Sequence, residues 1–198
     1  LPCADLIDTA SWLPMLATDI GRNSDGQFCA YSDNTQLPAG LGYVLEHRLA
    51  FNNTTTELNS GVKKSQLAGF FRQLQQLLQQ GCQSDNEHKL AGLLTHHKRD
   101  AAYFEHAFLA QQMGVELVEG QDLFVRDRFV YMRTTRGPRR VDVIYRRVDD
   151  DYLDPLMFKP NSTLGCPGLM DAYRSGHVAI CNAVGTGIAD DKSIYPYV

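Results

Sequence analysis

The stretch that decides the fold is residues 90–118, LAGLLTHHKRDAAYFEHAFLAQQMGVELV. A short apolar run at Leu90–Thr95 precedes a helical segment at Ala101–Met113, which Gly114 ends, and a second apolar run follows at Val115–Val118. Two short apolar runs that flank a helix of this length are typical of a βαβ unit, whose strands are parallel. The stretch therefore predicts a parallel α/β sheet.

The alternation of strand and helix continues toward the C-terminus. Val141–Tyr145 and Val178–Cys181 are two further apolar runs, and a helical segment at Leu169–Ser175, with Pro167 near its start, precedes the second run. We expect residues 86–198 to form one α/β domain in which the four apolar runs are mutually parallel strands.

Two turn signals predict hairpins outside that alternation. The Asp25–Gly26 pair lies between apolar runs at Trp12–Ile20 and Phe28–Tyr31. Three polar residues likewise separate Leu123–Val125 from Phe129–Met132, which predicts a hairpin inserted into the α/β domain.

The remaining N-terminal segments predict a loop, a connection and one helix. Residues 32–43 contain one proline and two glycines and predict a loop, whereas the polar stretch 52–60 predicts a connection. Ser65–Gln80 has apolar residues at helical spacing and ends at Gly81. The predicted domains are residues 1–60, a connecting helix in 61–85, and 86–198.

Composition indicates an ordinary folded protein. The chain has 198 residues, 43% of them hydrophobic and 21% charged, with 19 basic and 23 acidic side chains and a net charge of −4. A chain without a net basic charge gives no reason to expect a nucleic acid or a membrane surface as partner.

Cysteine usage and the absence of long apolar runs predict a cytoplasmic protein. The five cysteines are scattered and form no CxxC pair, so we expect free thiols in a reducing compartment. No run of residues is long and apolar enough for a membrane helix or a signal peptide.

Asp33 and Asn34 follow a predicted strand and form a candidate metal site. Carboxylate and amide oxygens are ligands that Mg²⁺ accepts. Both residue types are also common in turns, where their side chains bond to the backbone, so a turn cap remains an alternative.

A second candidate site follows the predicted strand Val141–Tyr145. Arg146, Arg147, Asp149 and Asp150 come at its carboxyl end, where open α/β sheets bind ligands. The arginines could bind a substrate carboxylate. The alternative is a solvated loop with one internal Arg–Asp pair.

The loop after Val178–Cys181 could add backbone donors to the same edge. It contains Asn182 and Gly185, and its glycines permit close approach to an anion, although it lacks the GxGxxG spacing of dinucleotide-binding folds. His96 and its basic neighbours favour a solvated loop, and His106 favours a place at the edge of the core.

Several longer segments together resemble one family. Residues 33–48, DNTQLPAGLGYVLEHR, resemble the D-x-T-x-x-P-S-G-x-G-Y-x-x-E-N-R element of the circularly permuted ATP-grasp family, and residues 103–110, 117–123, 145–156 and 182–187 are similar to later segments of that family in the same order.

The resemblance implies an ATP-dependent carboxylate–amine ligase that is glutathionylspermidine-synthase-like and works through an acyl phosphate, with ATP and Mg²⁺ as cofactors. It implies that residues 1–60 belong to an ATP-grasp fold and that 86–198 form a Rossmann-like, pre-ATP-grasp sheet. By the same resemblance, Gly40, Tyr43 and Arg48 bind the cofactor. The partners it implies are a carboxylate and an amine substrate, either small or peptide-like.

Departures from the family pattern support a rival hypothesis. Ser32 stands where relatives often have Glu, Ala39 replaces Ser, and His47 replaces Asn. Members of the family also continue with a lysine-bearing ATP segment, so we expect this chain to act with the remainder of a longer protein. The rival is a non-catalytic binding or assembly module that retains the scaffold.

Overall fold

The structure is a computed structural model that describes residues 13–54, 69–82, 86 and 89–197. Its strands are β1 (Ala17–Arg22), β2 (Phe28–Asn34), β3 (Ala91–Leu94), β4 (Glu116–Val118), β5 (Leu123–Arg126), β6 (Phe129–Met132), β7 (Arg139–Val141), β8 (Val143–Arg146) and β9 (Ala179–Cys181). Its α-helices are α1 (Leu41–Thr54), α2 (Phe70–Gln80), α3 (Tyr103–Met113), α4 (Asp150–Leu153) and α5 (Leu169–Arg174). The fold is mixed α/β, with both parallel and antiparallel sheets.

The central sheet contains four parallel strands in the order β4–β3–β8–β9. All residues of β3 and β8 are buried, as a parallel sheet that is covered on both faces requires. One face packs on α2 and α3 through a cluster that includes Leu78 and Leu109, and the other packs on α5 through a cluster that includes Leu169. The predicted parallel arrangement of the four runs is confirmed.

A three-stranded antiparallel sheet, β5–β6–β7, is inserted between β4 and β8. The predicted hairpin is confirmed, and its turn places Asp127 and Arg128 at positive φ angles of 54° and 64°. The predicted strand Val141–Tyr145 is divided, because Val141 ends β7 in this sheet and β8 begins at Val143. Between them the buried Asp142 accepts a hydrogen bond from the Leu90 N–H, so the chain changes sheets at this residue.

Helix α1 corrects two sequence expectations. The predicted loop extended through Tyr43 and the predicted connection began at Asn52, but α1 covers both ends. Gly42 is its one buried residue, whereas Leu49 and Phe51 are more than half exposed. Because α1 has no buried apolar stripe, no helical periodicity marks it in the sequence.

The two other long helices end as expected. Gly114 follows α3 with a φ of 66° and donates its N–H to the carbonyls of Ala110 and Gln111. Gly81 ends α2, and the predicted start of that helix at Ser65 lies outside the described residues.

The predicted N-terminal hairpin is confirmed, since β1 and β2 pair in antiparallel fashion. Side-chain bonds attach it to the central sheet: the Asn182 amide donates to the carbonyls of Met15 (2.8 Å) and Thr35 (2.6 Å). The Thr35 hydroxyl is 2.6 Å from both the Thr186 carbonyl and the Asp190 carboxylate.

Cys29, Cys166 and Cys181 are free thiols, as predicted, and Cys3 lies outside the described residues. Burial raises the pKa of Cys166 and of Cys181 to about 12.

Across the described ranges, no helix is both long enough and apolar enough to span a bilayer.

Candidate functional site

A cleft of about 750 Å³ opens at the carboxyl-terminal edge of the parallel sheet, between the turn after β8 and the loop after β9. This is the edge at which parallel sheets place ligands. The cleft is lined by Gln36, Asp149, Asp150, Asp151, Tyr152, Gly185, Gly187, Ile188, Asp191 and Ile194.

The side chain of Arg146 lies behind the cleft and is fully buried. Its Nε donates to the Asn182 carbonyl (2.7 Å), its Nη2 to the Ala183 carbonyl (2.9 Å) and its Nη1 to the Val148 carbonyl (3.1 Å). Three backbone carbonyls of the two segments that flank the cleft are thus bound to one guanidinium. Burial lowers the pKa of Arg146, whereas the nearby carboxylates of Asp150 and Asp149 act in the opposite direction.

Asp150 connects this arginine to the glycine loop. Its Oδ1 is 2.8 Å from Arg146 Nη1, and its Oδ2 accepts the N–H of Gly185 at 2.9 Å. Asp149 precedes α4 and makes no side-chain bond to the helix end. The cleft therefore presents carboxylates on a rigid, arginine-supported edge.

The side chain of Arg147 contacts a different part of the protein from Arg146. Its Nη1 donates to the Pro38 carbonyl, and its Nη2 is 3.8 Å from Glu105 Oε2. Glu105 Oε1 accepts the N–H groups of Gly40 (2.7 Å) and Gly42 (3.0 Å). Together the two buried side chains clamp residues 38–42 at the start of α1.

The structure therefore groups the predicted substrate residues in two sets. Asp149, Asp150 and Gly185 line the cleft, whereas the side chains of Arg146, Arg147 and Asn182 are buried beside or behind it. The alternative of a solvated loop does not apply to the arginines, because they are 1% and 3% exposed. Their predicted substrate contacts stay a prediction, and both guanidiniums bind carbonyls and carboxylates of the protein itself.

The predicted cofactor residues are also engaged within the protein. The Gly40 N–H is bonded to Glu105, and the Tyr43 hydroxyl donates to the Ala101 carbonyl at 3.3 Å. Arg48 lies further along α1 and is half-buried. Because the Gly40 amide already has an acceptor, the described residues around it do not fit an ATP phosphate.

Asp33 and Asn34, the predicted Mg²⁺ ligands, have partners within the protein. Asp33 Oδ1 accepts the Thr18 hydroxyl (2.6 Å) and Oδ2 accepts the Tyr195 hydroxyl (2.7 Å), and these two bonds lower the pKa of Asp33. Asn34 Oδ1 accepts the Leu37 N–H at 3.0 Å, as the turn-cap alternative expects. No cluster of three His, Cys, Asp or Glu side chains suited to a metal occurs in the residues that the structure describes. The pair does not make a complete Mg²⁺ site.

The histidines take structural positions. His106 is 2% exposed, and its Nδ1 lies 2.8 Å from the Thr95 hydroxyl. Burial, aided by the positive charge of Arg147, lowers the pKa of His106 to about 4. His96 pairs with Asp100 at 3.2 Å, at the surface.

Sequence reasoning missed two acidic residues that shape this region. Glu105 lies inside an aromatic helical run that predicts core packing, so its side chain carried no separate signal. Asp190 accepts the Thr35 hydroxyl and, at 3.3 Å, the Gln36 N–H, across 154 to 155 residues of sequence. No local pattern reveals contacts at that separation.

The family assignment agrees with this arrangement of hairpin, parallel sheet and cleft. The sequence pattern of the circularly permuted ATP-grasp type 2 family matches residues 3–198. The chain belongs to that family.

Several proteins with similar sequences are longer than this chain. An uncharacterized protein of Synechocystis sp. is 45% identical over 198 residues, which are the whole of this chain and 41% of that protein. An uncharacterized protein of Mycobacterium tuberculosis is 43% identical over 180 residues, 91% of this chain and 33% of that protein. A Frankia casuarinae protein that is named provisionally as a glutamate–cysteine ligase is 39% identical over 182 residues, 91% of this chain and 21% of its own length. The chain thus spans less than half of each of these relatives.

Proposed function

We propose that this chain is the substrate-side part of an ATP-dependent carboxylate–amine ligase and that the acidic cleft binds the amine substrate. The observation that carries the proposal is the pair of carboxylates, Asp149 and Asp150, at the carboxyl edge of the parallel sheet in a member of the ATP-grasp family. The name of the Frankia relative supports a ligase. The Rossmann-like, pre-ATP-grasp assignment of residues 86–198 and the glutathionylspermidine-synthase-like substrate class form part of the same proposal.

The charge of the cleft favours an amine over a carboxylate in this position. An ammonium group is attracted by several carboxylates, whereas a carboxylate substrate would be repelled by them. Arg146 offsets part of this negative charge, but its donors are bonded to three carbonyls and to Asp150. A bound ammonium must lose a proton before its nitrogen can attack, and a carboxylate of the cleft can accept that proton; the C–N bond then forms at the acyl carbon as phosphate leaves.

ATP and Mg²⁺ are the cofactors that family membership implies for the whole protein. They would supply activation of the carboxylate substrate. For the 198-residue chain alone we expect no ligase activity, since the described residues supply neither a phosphate cradle at Gly40 nor a full set of metal ligands. A cytoplasmic location remains our prediction.

The test is steady-state kinetics of the full-length protein with ATP, carboxylate donors and a panel of amines, with ADP release as the signal. Asp149→Asn should raise the KM for the amine at least tenfold and leave the melting temperature within a few degrees. Asp127→Asn is the matched control, because Asp127 is an exposed acid in the β5–β6 turn and asparagine tolerates its positive φ. An unchanged amine KM in Asp149→Asn would contradict the assignment of the cleft.

The second candidate function is the non-catalytic binding or assembly module. The internal bonds of Asp33 and of the Gly40 amide favour it, because both predicted cofactor positions are satisfied without a ligand. The same assay separates the candidates: if no carboxylate and amine pair releases ADP from the full-length protein, the module is the better description.

A further inference from the structure

A second cavity lies on the other face of the central sheet and shares no wall residue with the acidic cleft. It has a volume of about 430 Å³, which is within the usual range for small-molecule sites. It lies between α2, α3, the residues before β1 and the loop before α1. Most of its wall is apolar, including Met15, Leu41, Phe70, Leu74 and Leu109.

Three polar side chains interrupt this apolar wall: Gln73, which is exposed, and two buried ones. Glu105 and Tyr145 both contribute to it and are 1% and 2% exposed. Glu105 Oε1 accepts two backbone N–H groups, but Glu105 Oε2 has no hydrogen-bond donor among the described residues. The nearest cationic nitrogen, Arg147 Nη2, is 3.8 Å away, and Arg147 is not part of the wall. The Tyr145 hydroxyl interacts with the side chain of Arg147 and lies 4.0 Å from the sulfur of Met15.

A buried carboxylate oxygen without a donor is costly, and such atoms in folded proteins usually have a partner. A molecule that fills an apolar cavity and brings one N–H or O–H group would supply that partner and remove apolar surface from water. A molecule that ends in a carboxylate would place a second negative charge beside Glu105.

We propose that this cavity is a second binding site, for a small organic molecule with an apolar body and a terminal hydrogen-bond donor, an amine or an alcohol, that bonds to Glu105. The site is separate from the cleft of the proposed ligase reaction, so it stands or falls independently of that reaction. Glu105 makes the site prefer a ligand that donates a hydrogen bond, and the space between α2 and α3 sets the size of that ligand.

The experiment is ligand-observed saturation-transfer NMR on the full-length protein with 1-hexanol, hexylamine and hexanoate as probes. We expect saturable binding of at least one donor probe and at least tenfold weaker binding of hexanoate. A comparison of 1-hexanol binding with hexylamine binding shows whether the site prefers a neutral or a charged donor. Glu105→Gln retains a carbonyl for the Gly40 and Gly42 amides and replaces Oε2 with an NH₂ group, so it should weaken the donor probes and strengthen hexanoate.

A pair of variants on α2 tests the location without touching the buried charges. Leu77 lies on the cavity wall and is 45% exposed, so Leu77→Trp should fill the cavity and abolish binding with little effect on the core. Gln76→Trp adds the same side chain at an exposed neighbour outside the wall and should bind normally. Three results would overturn the proposal: no saturable binding of either donor probe, equal binding by the two tryptophan variants, or a crystal structure of the full-length protein in which its own residues occupy the cavity.

Discussion

Replacement of Arg146 by methionine should cost the protein a large share of its stability. Methionine is similar in length, so little cavity forms, but the three backbone carbonyls and Asp150 lose their donor. Removing one partner of a buried ion pair typically costs about 3 to 5 kcal/mol. Asp150 is 19% exposed and regains some hydration, so we expect a loss of about 3 kcal/mol.

The assay is urea unfolding of the 198-residue chain, followed by far-ultraviolet circular dichroism. With a slope of about 2 kcal/mol per molar urea, that loss should lower the midpoint by about 1.5 M. Arg146→Lys should fall between wild type and Arg146→Met, since one ammonium group cannot reproduce the planar fork of donors.

The matched control is Arg128→Met, because Arg128 is 63% exposed and pairs with Asp171 at 3.3 Å on the surface. Exposed ion pairs contribute about 0 to 1 kcal/mol, so its midpoint should move by at most about 0.5 M. If Arg146→Met loses no more stability than Arg128→Met, the guanidinium is not the support that its contacts indicate. A loss of substrate affinity without any loss of stability would instead restore Arg146 as a substrate ligand.

Two further predictions concern packing and pH. Gly165→Ala should destabilise the protein by about 1 to 3 kcal/mol in the same urea assay, because the added Cβ would lie 2.0 Å from the Leu153 carbonyl oxygen. Gly69→Ala should be neutral or slightly stabilising, because its Cβ would meet no atom of the described residues within 4 Å apart from its chain neighbours, and equal losses in the two variants would count against the packing argument. His106 has a pKa of about 4 in the folded protein and about 6.5 when unfolded, so the unfolded state binds the proton first and stability falls as the pH drops from about 6.5 to 4. His106→Gln should reduce that fall by up to about 3 kcal/mol in unfolding free energies measured across this range, and an unchanged pH profile would refute the assignment.

The parallel sheet could be predicted from the sequence because each of its strands is a short apolar run. Ala91–Leu94 and Val143–Arg146 are buried throughout, and burial on both faces is what makes such a run visible. Gly114 marked the end of α3 for an equally local reason, its left-handed conformation. Helix α1 could not be predicted in this way, since its start is fixed by Glu105, which lies 63 residues beyond Gly42 in sequence.

The sequence predicted where the candidate site lies, but not which groups its charged side chains contact. The carboxyl edge of the sheet, with Asp149, Asp150 and Gly185, follows from topology, because strand ends of a parallel sheet share one edge. The partners of the charged side chains do not follow from topology. Asp33 binds Tyr195 across 162 residues of sequence, and no spacing rule could have shown that its carboxylate is already engaged.

The two arginines show what strand geometry alone could have settled. Side chains of successive residues in extended backbone point to opposite faces of a sheet, so Arg146 and Arg147 cannot both bind one carboxylate group at this position. Arg146 accordingly turns toward Asn182 and the acidic cleft, and Arg147 turns toward Glu105, beside the apolar cavity. Each side of the sheet thus has one buried guanidinium that fixes the wall of a different cavity.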